Sequence, residues 1–147
     1  MTDKKPLKIN IQSEIGDLEA VLLHTPGAEV ENMTPKMAQR ALYSDILNLS
    51  IAQEEYKQLS GVLSRLAKVY SVHDLLVKVL DNEVERQALV GKICVMEQVT
   101  DYFDMLMEMS STRLAKVLIE GLPAKINTLT SFLNEDYYAL FPLYNFY

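Results

Sequence analysis

The sequence is poor in the residues that most often announce a chemistry. Among its 147 residues there is no tryptophan, one cysteine and two histidines. A single cysteine rules out a disulfide within the chain and fits a reducing, cytoplasmic setting. The two histidines and the cysteine form none of the spacings of a metal site. Only five glycines occur, and no group of them makes a loop that could cradle phosphate. Basic residues are outnumbered, 14 against 20 acidic ones, and the net charge of −6 excludes a basic nucleic-acid footprint. No apolar run approaches the ~18 residues of a membrane span. The start, Met1 to Pro6, is not followed by the apolar core of a secretory signal.

What is present has the balance of an ordinary globular protein, with 49% hydrophobic and 23% charged residues. Leu7 to Gln12 alternates apolar Leu7, Ile9 and Ile11 with polar residues, the period of a half-buried strand. A tight turn is expected at Gly16-Asp17, with Gly16 supplying a positive φ. The apolar run Ala20 to Leu23, closed by His24-Thr25-Pro26-Gly27, reads as a buried strand, so the two strands form a hairpin. Gly27 to Pro35 reads as a polar loop, and a short helix follows from Lys36 to about Leu42 with Thr34 as its cap. A longer helix opens at Asn48 or Ser50, because Leu49, Ala52, Tyr56, Leu59, Leu63 and Leu66 recur on one helical face. Lys68 to Val72 is β-prone.

The character changes at His73. Asp74 to Leu80 reads as a short helix with Asp74 as a candidate cap, and Asn82 to Met96 as another, with Asn82 and Glu85 in capping-box form. Gln98 to Met109 comes next, and then a helix capped by Ser111 or Thr112 that Gly121 stops and Pro123 keeps from continuing. Ile126 to Leu133 reads as a last short helix. With no β-prone alternation, this half predicts a small bundle of short antiparallel helices. At the carboxyl end Tyr137, Tyr138, Phe141, Tyr144, Phe146 and Tyr147 crowd together, an apolar segment that predicts burial against something further.

Three side chains invite a chemical role. Cys94 lies inside a helical pattern between Ile93 and Val95, with no histidine near it, and reads as a core thiol with nothing to lower its pKa. His24 ends a strand, where sites often sit, but no cysteine or carboxylate motif accompanies it, so it reads as a hydrogen-bonding structural residue. His73 marks the junction of the two halves and reads in the same way.

Several blocks taken together resemble one family. They are Ser13-Glu14-Ile15-Gly16, Val21 to Gly27, Met33-Thr34-Pro35, Leu42-Tyr43-Ser44-Asp45-Ile46 and Ala52-Gln53-Glu54-Glu55-Tyr56. In order and spacing they are similar to the amino-terminal signature of arginine deiminases. Ser44, Tyr43 and Thr25 depart from it, standing where the family has Asp, Phe and often Arg. The resemblance implies an α/β plus all-α chain. Residues 1–72 would be the first ββαβ unit of a five-bladed α/β propeller, 73–135 an inserted helical domain, and 136–147 the return to a propeller this chain lacks. It implies hydrolysis of L-arginine to L-citrulline and ammonia through a cysteine-bound thiouronium, without cofactor or metal. That chemistry needs carboxylates to grip the guanidinium, a thiolate to attack its carbon and a histidine to move protons. The family's catalytic groups fall beyond Tyr147, so the resemblance gives this chain no catalytic residue. It carries two substrate-binding positions over: Leu42, on a loop that closes over the substrate, and Asn145, just before the family's Phe-Thr-Arg-Asp motif. The expected partners are the remaining propeller and a second copy of the chain, with no nucleic acid and no membrane. A competing expectation is a non-catalytic helical interaction module that binds a protein through its aromatic end.

Overall fold

The computed structural model describes residues 9–11, 13–31, 48–97 and 99–122. Its elements run β1 (Ala20–Leu23), α1 (Ala28–Glu31), α2 (Leu49–Leu66), β2 (Lys68–Ser71), α3 (Val72–Leu80) and α4 (Glu83–Met96), then a 3-10 turn (Thr100–Tyr102), α5 (Phe103–Met107) and α6 (Ser111–Glu120). The described chain is mostly helical, with a small two-stranded sheet.

Each of the longer helices begins where a short polar side chain can take up free backbone N–H groups. Asn48, one of the two expected openers, accepts from the N–H groups of Ser50 and Ile51, and Asn82 caps its helix by accepting from the Val84 N–H. Two caps fall earlier than expected. Ser71, not Asp74, accepts from the Asp74 N–H and starts α3. Ser110, rather than Ser111 or Thr112, accepts from the Arg113 N–H and starts α6. Gly121 ends α6 at φ 86°, a left-handed backbone that a side chain would strain.

Among the described residues the expected hairpin does not form; Leu7, Lys8 and Gln12 of its first strand lie outside them. β1 pairs in parallel with β2, from Ala20 beside Lys68 to Leu23 beside Ser71. Ile9 and Ile11 are 80% and 84% exposed and lie outside any strand. Gly16 sits in a bend without a positive φ, so the turn that would fold the chain back on itself is missing. Nor is β1 buried: Ala20 and Leu22 are exposed, and Val21 and Leu23 only half-buried. The apolar run implies cover on both faces, and the described chain supplies it only in part on the Val21 and Leu23 face and not on the other. A one-turn helix, α1, stands in the stretch expected to be loop. The expected helix from Lys36 and the segments from Pro123 onward lie outside the described residues, as do Leu42 and Asn145.

Burial divides the chain. Leu80, Val90, Cys94, Leu106, Leu114, Ala115 and Leu118 form the core, all within the run of helices after β2. In β1, α2 and β2 no described residue is buried. Helix α3 packs on α6, and α4 on α3 and α5. At their centre Arg86, 8% exposed, directs Nη2 to the carbonyls of Leu106 (3.4 Å), Met107 (2.7 Å) and Met109. These carbonyls close α5, where a helix leaves acceptors unpaired and carries partial negative charge. Replacing Arg86 with alanine would take this donor from the Met107 and Met109 carbonyls, at a cost of about 3 kcal/mol, while the Leu106 carbonyl keeps the Met109 N–H. Urea unfolding followed by circular dichroism should show that loss.

Candidate functional site

Parallel strands end side by side, and the residues after each strand are brought together at that edge. Here β1 runs into His24 and β2 into His73, so the pairing sets both histidines of the chain on one cleft. The cleft holds about 350 Å³ and is lined by the His24–Gly27 loop, Glu29, Ser71, His73, Asp74, and Lys116, Ile119 and Glu120 of α6. It lies on the seam between the sheet and the helical core.

At its centre is a clip around Glu29. His24 Nε2 lies 2.8 Å from Glu29 Oε1, and the Gly27 N–H donates to the same oxygen at 2.7 Å. An ionised carboxylate only accepts, so the histidine carries its proton on Nε2. Both side chains are 23% exposed. The Pro26 carbonyl behind them accepts from Gln53 Nε2 at 3.1 Å, which ties the loop to α2. A Cβ at position 27 would stand 2.6 Å from Glu29 Oε2 and 3.2 Å from Glu120 Oε1, so both carboxylates would have to shift to admit one. Burial pushes the Glu29 carboxyl up. The bonds from His24 and from the Gly27 N–H outweigh it, and the net effect holds the carboxyl below its ordinary value. At the mouth, His73 Nδ1 lies 3.3 Å from Asp74 Oδ1, and Lys116 Nζ 3.7 Å from Glu120 Oε2.

The cleft can orient an imidazole and hold charge, but it has no thiol. Cys94 is 1% exposed in the helical core, as expected, and burial pushes its thiol up, away from the reactive thiolate. Among the described residues no three of His, Cys, Asp and Glu are arranged to hold a metal, and no helix is long and apolar enough to cross a membrane. The sequence offers no carboxylate motif around His24, yet its carboxylate is Glu29, just past the Pro-Gly turn. The signal is the turn itself, which folds Glu29 back onto the strand end. Nothing local in the sequence announces Lys116 and Glu120, which arrive through the packing of α6 on α1 and α3.

No family model matches the chain. Individual proteins do. An arginine deiminase of Borreliella afzelii (strain PKo) is 32% identical over 139 residues, 86% of this chain and 34% of that protein. The chain belongs to the arginine deiminase family. The arginine deiminase of Mycoplasma capricolum subsp. capricolum is 29% identical over 78% of the chain, and that of Lactococcus lactis subsp. lactis 42% identical over 52%. The chain spans between 19% and 34% of the length of these arginine deiminases.

Glu29 binds its proton less readily when folded, so its clip stabilises the protein above the ordinary carboxyl value of 4.5 and that contribution is lost as pH falls through the lower folded value. An NMR titration should place the Glu29 midpoint below 4.5, and Glu29→Gln should remove this acid-side dependence.

Proposed function

We propose that this chain is the amino-terminal part of an arginine deiminase, and that the whole enzyme hydrolyses L-arginine to L-citrulline and ammonia. The observation that carries this reading is similarity to an enzyme of that name along 86% of the chain. The distribution of burial supports it as well. The sheet and α2 present apolar side chains with no core beneath them, as one unit of a larger sheet assembly would. On this reading residues 1–72 contribute the first ββαβ unit of a five-bladed propeller, 73–135 the inserted helical domain, and 136–147 the return to the propeller. The remaining propeller is the partner that covers the open sheet, and the enzyme works in the cytoplasm.

The chemistry follows from the substrate. A guanidinium is a poor electrophile, so a thiolate must add to its carbon, ammonia must leave, and water must release citrulline from the thiouronium. Cys94 is sealed in the core and does not serve, so the nucleophile and its histidine lie beyond Tyr147. Leu42 and Asn145 are this chain's contributions to substrate binding, Leu42 from a closing loop and Asn145 at the amino-acid end of arginine. An enzyme's name on the relatives weighs against the helical interaction module.

The 147-residue chain alone should form no citrulline from arginine above the blank, and the coding sequence past Tyr147 should run on into Phe-Thr-Arg-Asp. Enzyme-like citrulline formation by the chain, or a stop codon directly after Tyr147, would overturn the reading.

A further inference from the structure

The deiminase reading makes no use of the cleft on the seam, yet the side chains that line it share one property. Each of its carboxylates, Glu29, Asp74 and Glu120, has one oxygen engaged. Glu29 Oε1 holds His24 Nε2 and the Gly27 N–H, Asp74 Oδ1 lies against His73 Nδ1, and Glu120 Oε2 against Lys116 Nζ. The second oxygen of each has no partner among the described residues, and that of Glu29 is buried as well. An imidazole that gives its proton to a carboxylate keeps a lone pair on its other nitrogen, so His24 and His73 add two more acceptors. Lys116 is the one lysine or arginine on the lining, and it is 65% exposed.

Acceptors gathered with so few donors call for a cation that carries N–H groups. Two of the free oxygens come close together. The position of a Cβ on Gly27 lies 2.6 Å from Glu29 Oε2 and 3.2 Å from Glu120 Oε1, so both oxygens converge on the bare side of this glycine. Like charges so placed repel, and a cation between them replaces the repulsion with attraction. Which oxygens are free decides the form of the cation. A guanidinium makes its parallel fork to both oxygens of one carboxylate, and no carboxylate here has two to give. An ammonium sends three separate N–H bonds to acceptors on different elements, and α1, α6 and the residues after the two strands present them in that way. Pro26 and Ile119, both half-buried, offer an apolar wall for a carbon chain behind the charge, within a cleft of about 350 Å³.

We propose that the cleft binds a primary alkylammonium group, held between Glu29 Oε2 and Glu120 Oε1 with its carbon chain on Ile119. Glu29 Oε2 is buried, so the Glu120 side chain moves as the ammonium enters. The site is independent of the deiminase reading, which needs a guanidinium and a thiolate that this cleft does not suit. A free amine and the side chain of a protein lysine carry the same group. A ligand as small as butylammonium binds weakly, with a dissociation constant of about 1 mM.

Amide NMR of the 147-residue chain, titrated with butylammonium chloride to about 20 mM at constant ionic strength, tests this. Saturable shifts should centre on Gly27, Glu29 and Glu120. Butylguanidinium is shaped for a fork and tetramethylammonium has no N–H, so each should bind at least about tenfold more weakly. Glu120→Gln, outside the Glu29 clip, should weaken butylammonium at least about tenfold, and Glu55→Gln on α2 should leave it unchanged. Circular dichroism checks that both variants stay folded. Nα-acetyllysine amide separates the two sources: binding tighter than that of butylammonium assigns the site to a protein lysine, and weaker binding to a free amine. Shifts that do not saturate, control cations that bind as well as butylammonium, Glu120→Gln binding like the wild type, or Glu55→Gln weakening it equally would each overturn the proposal.

Discussion

A buried guanidinium without a buried carboxylate beside it needs another source of negative charge, and in this protein that source is backbone. The Arg86 side chain leaves α4, crosses under the core and ends on carbonyls at the close of α5. The Leu106 carbonyl also accepts from the Met109 N–H, while those of Met107 and Met109 lie half-buried at the end of the helix and take their donor from Arg86. One side chain thereby fixes where α5 stops and where the chain turns toward α6. Helix α6 is what brings Leu114, Ala115 and Leu118 into the core, and at its far end it carries Lys116 and Glu120 to the cleft. The geometry of the seam is inherited from an interaction deep in the helical half.

The two halves are built on different terms. The helices after β2 close around their own core. The sheet and α2 make their contacts through half-buried side chains and through ties such as Gln53 to Pro26. The Glu29 clip belongs to this second kind of construction. It sets the strand end, the Pro-Gly turn and the first turn of α1 with two bonds to a single carboxylate oxygen, at a place where apolar packing contributes little.

Sequence and structure agree most closely at several helix ends, where the cause is local. Asn48 and Asn82 open helices and Gly121 closes one because capping involves a side chain and its nearest backbone neighbours. Ser71 and Ser110 escape a sequence reading narrowly, since each stands beside other residues that cap well. The hairpin fails for another reason. Alternation in Leu7 to Gln12 reports which residues would share a face and says nothing about which strand lies alongside. The neighbour of β1 is Lys68–Ser71, far along the chain. The cleft is least legible of all, because it depends on α6 crossing the ends of two strands. The sequence singles out the two histidines but does not show that they share it.

The parallel pairing also has a temporal side. The partner of Ala20 is Lys68, roughly fifty residues later, and a pairing over that separation forms slowly. On the ribosome, at roughly 5–20 residues per second, β1 emerges several seconds before anything exists for it to pair with. The helical half needs only near neighbours and can close as soon as α6 is made. A nascent chain of this protein therefore passes through a period in which β1 waits while α2 is made, with Leu22 in the open, and the helical half closes only later. Chaperone binding during translation would be drawn to that waiting strand.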